Sequence, residues 1–202
     1  MLGEMLQNVR ENRPLVHCIT NYVTANDCAN LLLACGGSAI MADEMEEAEE
    51  VTSLCGGLVL NLGTPNPRKV EAMLRAGREA NRMGRPVVFD PVGVGCSAFR
   101  REASSRILEQ VQLSVIRGNA SEIAALTGGE TGRCGVDADA AAASAEESAQ
   151  LLAKKTGAVG VASGATDLVT DGEALYCVHN GHPMMRTVTG TGCQLSALTG
   201  AY

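Results

Sequence analysis

Tryptophan is absent from these 202 residues, and aromatic residues of all kinds make up only 2% of the chain. A stacking platform for nucleic-acid bases needs several aromatic rings, so this composition disfavours nucleic acid as the main partner. Basic charge is short as well. Sixteen Lys and Arg against 23 Asp and Glu leave a net charge of −7, and no dense basic cluster occurs. That balance also disfavours an anionic membrane surface. No apolar run approaches the roughly 20 residues that cross a bilayer. Three nucleotide and hydrolase signatures are missing. The chain has no Walker A loop, no Gly-x-Gly-x-x-Gly after its first strand, and no Gly-x-Ser-x-Gly elbow.

Cysteine is plentiful, at eight residues, but Cys18, Cys28, Cys35, Cys55, Cys96, Cys134, Cys177 and Cys193 form no Cys-x-x-Cys pair. Most lie in apolar runs, and Met1 to Arg10 reads as a polar amphipathic segment rather than a secretory leader. Reduced, buried thiols in a cytoplasmic protein are the expectation.

What is present is a regular alternation. Short apolar runs at 14–20, 38–41, 58–62, 86–90, 111–116 and 158–163 read as strands. Helical patterns at 2–11, 23–35, 44–54, 68–82, 100–109, 120–126 and 138–155 separate them. Segment 168–176 reads as a hairpin around the two-residue turn Asp171-Gly172. Segment 128–137 reads as a loop, and 185–189 leans towards a strand. Glu44, Glu46, Glu47, Glu49 and Glu50 read as a solvated helix face. Strands spaced by helices imply parallel β-α-β units, and runs apolar on both faces imply a sheet covered on both sides. The expected fold class is therefore α/β, a mostly parallel central sheet within a single domain over 1–202. In such sheets ligands bind beyond the carboxyl ends of the strands. Asn21, Asn61, Asp90, Arg117-Gly118-Asn119, Ser163 and the segment Gly190 to Cys193 close the strands and collect on that edge.

The chemistry-bearing stretch is Val188-Thr189-Gly190-Thr191-Gly192-Cys193, followed by a helix-prone run. Gly190 and Gly192 admit backbone angles closed to other residues, and the helix start aims unpaired N–H groups and its positive dipole end at the turn. Such a turn takes phosphate, and a thiol on the first helical turn is favoured as thiolate. Taken alone, a tight turn with an inert thiol is the simpler account. Asp90, at the end of a buried strand, suits Mg²⁺ held through water, or a turn-stabilising role. Arg117 suits a nucleotide phosphate. Glu122 suits the metal together with Asp90, and equally a capping box with Asn119. Met41 and His17 read most simply as core. His179 and His182 lack a third ligand, and zinc is rejected there.

Together these residues resemble the hydroxyethylthiazole kinase family, of the ribokinase-like superfamily. The resemblance rests on His17-Cys18-Ile19-Thr20-Asn21-Tyr22-Val23-Thr24, Ser38-Ala39-Ile40-Met41, Leu60-Asn61-Leu62-Gly63-Thr64, Asp90-Pro91-Val92-Gly93-Val94-Gly95, Arg117-Gly118-Asn119-Ala120-Ser121-Glu122, Gly135-Val136-Asp137 and Gly190-Thr191-Gly192-Cys193. It implies a ribokinase-like fold and ATP-dependent phosphorylation of the primary alcohol of 4-methyl-5-(2-hydroxyethyl)thiazole. It implies thiazole contacts from Met41, Gly190 and Asn21, ATP contacts from Arg117 and Ser163, and a homotrimer. On that basis Cys193 accepts the hydroxyl proton, Gly190, Thr191 and Gly192 form the anion hole, and Mg²⁺ sits near Asp90 and Glu122. Family members run on for several dozen residues past the last residue here. The chain is therefore expected to lack its C-terminal helices, to bind ATP poorly alone and to expose apolar surface. Two other readings stay open, namely a related kinase for a hydroxymethylpyrimidine or sugar alcohol, and a non-catalytic fragment of the same fold.

Overall fold

The structure, a computed structural model, describes residues 2–128 and 138–202. The Gly135-Val136-Asp137 stretch and most of the expected 128–137 loop lie outside the described residues. In chain order the elements are α1 (Leu2–Asn12), β1 (Leu15–Ile19), α2 (Ala25–Cys35), β2 (Ser38–Ile40), α3 (Ala48–Ser53), β3 (Gly57–Asn61), α4 (Pro67–Arg82) and β4 (Val87–Asp90). There follow α5 (Ala98–Gln110), β5 (Val115–Asn119), α6 (Ala120–Leu126), α7 (Ala138–Thr156), β6 (Val159–Ser163), β7 (Asp167–Thr170), β8 (Leu175–Val178) and α8 (Thr191–Thr199).

The strands form a single sheet in the order β2-β1-β3-β4-β5-β6-β7-β8. Pairings from β2 through β6 are parallel, while β6–β7 and β7–β8 are antiparallel. Alternation along the strands separates two apolar layers. Leu58, Leu60, Val87 and Phe89 face one side, with Met73, Leu74, Ile107 and Leu152 from the helices. Val16, Cys18, Val59 and Val88 face the other, beneath Cys28 and Leu32 of α2 and Ala197 of α8. Each fully buried Leu or Phe side chain contributes about 1.5–3 kcal/mol relative to exposure. Beyond α8 this second face thins, and Val115, Val159 and Val161 are only half-buried.

Local signals explain the helix boundaries. Asn66 caps α4 by accepting Lys69 N–H at 2.9 Å, with Pro67 in the first turn. Ser97 caps α5, and α2 ends at Gly36 in the left-handed region. His17 is a satisfied core residue: Nε2 donates to Ala42 O at 2.7 Å, and Nδ1 meets Thr52 Oγ1 at 2.9 Å. Burial holds its pKa below the ordinary value, so the ring is neutral.

Five expectations need correction. The strand expected at 185–189 is a 3-10 turn over Pro183–Thr187, because Pro183 presets the first turn and His182 Nδ1 accepts Met184 N–H. The β7–β8 connection is four residues rather than two, with Asp171 Oδ1 accepting the N–H groups of Glu173 and Ala174. The acidic helix is confined to Ala48–Ser53. Strand β5 continues to Asn119, so Arg117 lies in the strand instead of after it. Helix α8 begins at Thr191, which puts Gly192 inside the first helical turn.

Candidate functional site

Register does the assembling. Asn61 pairs with Asp90 and Asn119 with Ser163, so the polar residues ending β3, β4, β5 and β6 stand level at the carboxyl edge. Helix α8 packs over β3 and β4 and against α2, bringing its N-terminus to the same edge.

At that N-terminus Gly190 has φ +82°, the left-handed region, and no side chain caps the helix. The first helical bond runs from Gln194 N–H to Gly190 O, so the N–H groups of Thr191, Gly192 and Cys193 precede the ladder. They are available to an anion. A Cβ on Gly190 would lie 2.2 Å from Thr24 Cγ2, so glycine is required both for angle and for close approach of α2. Gly192 is needed only for space, because its Cβ would meet Arg117. The half-buried Cys193 lies on the first helical turn, and its Sγ accepts a hydrogen bond from Asn21 Nδ2 at 3.4 Å.

Asp90 is buried to 1% exposure. Its Oδ2 accepts from Ser196 Oγ at 2.7 Å and Asn61 Nδ2 at 3.0 Å, and Arg117 Nη1 lies 3.7 Å away. Burial nevertheless outweighs the arginine and the hydrogen bonds, and pushes the carboxyl up to about 6. Arg117 donates through Nη2 to Ser163 Oγ, which itself donates to Gly118 O at 3.1 Å. The two residues expected to hold nucleotide are thus joined to each other.

Glu122 completes a capping box: Asn119 Oδ1 accepts Glu122 N–H, and Glu122 Oε2 accepts Asn119 N–H at 2.8 Å. Its other oxygen accepts Gly93 N–H, also at 2.8 Å, and so holds the loop after β4. Both carboxylate oxygens are therefore engaged, whereas Asp90 Oδ1 is buried without a partner. Among the described residues no group of three or more His, Cys, Asp or Glu is arranged to hold a metal ion. A divalent cation arriving on phosphate oxygens, with most of its shell supplied by phosphate and water, fits one open carboxylate oxygen. An all-protein cage does not fit.

Met41 and Asn21 line a cavity of about 140 Å³ with Thr20, Tyr22, Asp43 and Lys69. Gly190 does not line it, but packs on Thr24, whose hydroxyl donates to Asn21. Four further contributors were not singled out by sequence for a role at the site, although Thr24 lies within the stretch that carries the resemblance. Lys69 is buried and bonds Thr20 O at 3.0 Å and Asp43 Oδ2 at 2.9 Å. Thr24 packs on Gly190. Ser196 comes from one turn beyond Cys193. Arg100 donates to Leu62 O, Gly63 O and Val92 O, tying together the loops after β3 and β4. His179 Nδ1 meets Thr166 Oγ1 where β7 begins and β8 ends, at the carboxyl edge but on the far side of β6 from Asp90.

Among the described residues no helix is long and apolar enough to cross a membrane. The ribokinase-like fold is matched by a ribokinase-like superfamily protein of Enterococcus faecalis, with TM-score 0.63 and 12% identity, covering 98% of this chain and 77% of that one. Much closer is a hydroxyethylthiazole kinase structure from Pyrococcus horikoshii, with TM-score 0.89 and 41% identity over 98% of this chain and 74% of that one. The hydroxyethylthiazole kinase of Clostridium acetobutylicum is 51% identical over 209 aligned residues, covering 100% of this chain and 77% of its own length. The family model for the hydroxyethylthiazole kinase family matches residues 6–202. With the glycine turn, the thiol and the strand-end row already assembled at one edge, this chain belongs to the hydroxyethylthiazole kinase family.

Proposed function

We propose that this chain transfers the terminal phosphoryl group of ATP to the hydroxyl of 4-methyl-5-(2-hydroxyethyl)thiazole, a step of thiamine salvage. One observation carries the reading beyond family membership. The amide that holds Cys193 Sγ belongs to Asn21, which also lines the cavity with Met41. An alcohol seated there has its hydroxyl beside the thiol.

In the transfer, the alcohol oxygen forms the new bond to phosphorus as its proton passes to Cys193 Sγ. The bond from phosphorus to the bridging oxygen breaks, and ADP leaves with that electron pair. The N–H groups of Thr191, Gly192 and Cys193 lie where charge on the moving phosphoryl group develops. Gly190 supplies the turn that aims them. Arg117, steadied by Ser163, faces the nucleotide phosphates. Mg²⁺, when bound, supplies neutralising charge to the triphosphate, and Asp90 would hold it through Oδ1, with Glu122 fixing the adjoining loop. Because a protonated thiol is a weak base, positioning and electrostatics contribute much of the rate. Subunits assemble as a homotrimer in this reading, with the Asn21 to Asn26 region completing a neighbour's pocket through its exposed Tyr22 and Val23 while Asn21 serves its own, and the enzyme works in the cytoplasm.

A coupled ADP-release assay with thiazole, hydroxymethylpyrimidine and sugar alcohols tests the reading. Turnover is expected with the thiazole alcohol. A preference for either other alcohol would reassign the substrate, and no product with any alcohol from a folded chain would refute a kinase.

A further inference from the structure

Asn21 and Asn61 form a chain of side-chain amides between the buried carboxylate and the thiol. Asn21 Oδ1 accepts three donors, the N–H groups of Val23 and Thr24 and the Thr24 hydroxyl, each at 3.1 Å. Those donors leave only one orientation for the amide, with Nδ2 facing inward. One Nδ2 hydrogen goes to Asn61 Oδ1 at 2.9 Å and the other to Cys193 Sγ at 3.4 Å. Asn61 is oriented in turn, since its Nδ2 donates to Asp90 Oδ2 and its Oδ1 also accepts Gly63 N–H. Every member of the chain therefore has a fixed direction of donation. Asn21 is 4% exposed and Asn61 is 1% exposed, so water does not compete freely for these bonds.

We infer that Asn61 is a positioning residue for this reaction: together with Asp90 it holds the Asn21 amide so that one N–H always points at Cys193 Sγ. A donor aimed at sulfur engages one lone pair and fixes the side-chain rotamer, so that the remaining lone pair is presented to an incoming hydroxyl. The inference rests on the proposed role of Cys193. Cys28 of α2 is the titratable group that interacts with the thiol, Asp27 and Asp90 act on Cys28 in turn, and Arg117 of β5 lies against the neighbouring Gly192. The hydrogen bond to Sγ comes from Asn21.

The test uses the full chain with the variants Asn21→Leu and Asn61→Leu. The rate of iodoacetamide labelling of Cys193 is followed at a fixed pH by peptide mass spectrometry, with the exposed Cys96 as internal control. The Cys193 labelling rate is expected to change several-fold in Asn21→Leu, and in the same direction in Asn61→Leu, with the Cys96 rate unmoved. In both variants kcat should fall about tenfold, while KM for ATP stays the same. A Cys193 labelling rate unchanged in folded variants overturns the inference. If Asn61→Leu fails to fold, Asn61→Ser, too short to bridge Asp90 and Asn21, carries the same readout. Full turnover by Cys193→Ser would remove the thiol as base, and the labelling shift would still decide the hydrogen-bond chain separately.

Discussion

A Cβ on Gly192 would lie 2.5 Å from Nη1 of Arg117, although Gly192 stands in the first turn of a helix. Room, not backbone freedom, is what the glycine provides. Gly192→Ala should therefore gain up to about 1 kcal/mol of helix propensity while forcing the guanidinium away from Asp90 and Ser163. The expected result is a KM for ATP raised about tenfold or more, equivalent to ~1.4 kcal/mol, with thermal stability close to wild type. An unchanged KM would show that Arg117 does not serve the nucleotide.

Gly190→Ala should behave differently. The position has φ +82°, and its Cβ would also meet the Thr24 methyl at 2.2 Å. Destabilisation should exceed the ~1–2 kcal/mol of the left-handed backbone alone. Adding Thr24→Ser removes that methyl and should recover part of the loss but never all of it. Urea unfolding of the singles and the double reads this directly.

Cys193→Ser keeps the size of the side chain and removes the acidic thiol. Turnover is expected to drop about 10²-fold, within the usual range for loss of a general base, while calorimetry shows ATP binding retained. Equal turnover would take the thiol out of the reaction.

Asp90 and His17 give opposite pH signatures. Burial pushes the Asp90 carboxyl from 3.8 up to about 6, so the folded chain holds this proton more tightly than the unfolded one. Its stabilising contribution is complete below pH 3.8 and is lost as pH rises through about 6, a change on the order of 3 kcal/mol. His17 is depressed, so its contribution is present above 6.5 and declines as pH falls below it. Asp90→Asn should therefore gain stability relative to wild type between pH 4.5 and 7. Melting curves across that range check the sign, and a parallel pH dependence in both proteins would contradict it.

Lys69→Met retains the apolar stem and deletes the bonds to Thr20 O and Asp43. Because Lys69 lines the same cavity as Met41, KM for the alcohol should rise several-fold while KM for ATP is unaffected. Steady-state kinetics with each substrate varied in turn separates the two.

Much of the architecture is written along the chain. The buried runs of β3 and β4, the caps at Asn66 and Ser97, and the box from Asn119 to Glu122 are local patterns whose physics involves only nearby residues. The Gly190 to Cys193 turn and the strand-end row are visible the same way, since a parallel sheet gathers its carboxyl ends. The 3-10 turn at Pro183–Thr187 was not visible, because no neighbouring strand pairs with it and intrinsic strand preference is weak without a partner. Nor could spacing reveal that Gly192 makes room for Arg117, that Ser196 and Asn61 bind Asp90, or that Lys69 enters the cavity. These contacts join residues 29 to 106 positions apart, or lie where helix meets strand. Sequence by itself determined which chemical groups exist and which edge they reach. Only the tertiary structure decided which groups satisfy one another there, because burial removes water and obliges each polar atom to find its partner across the fold.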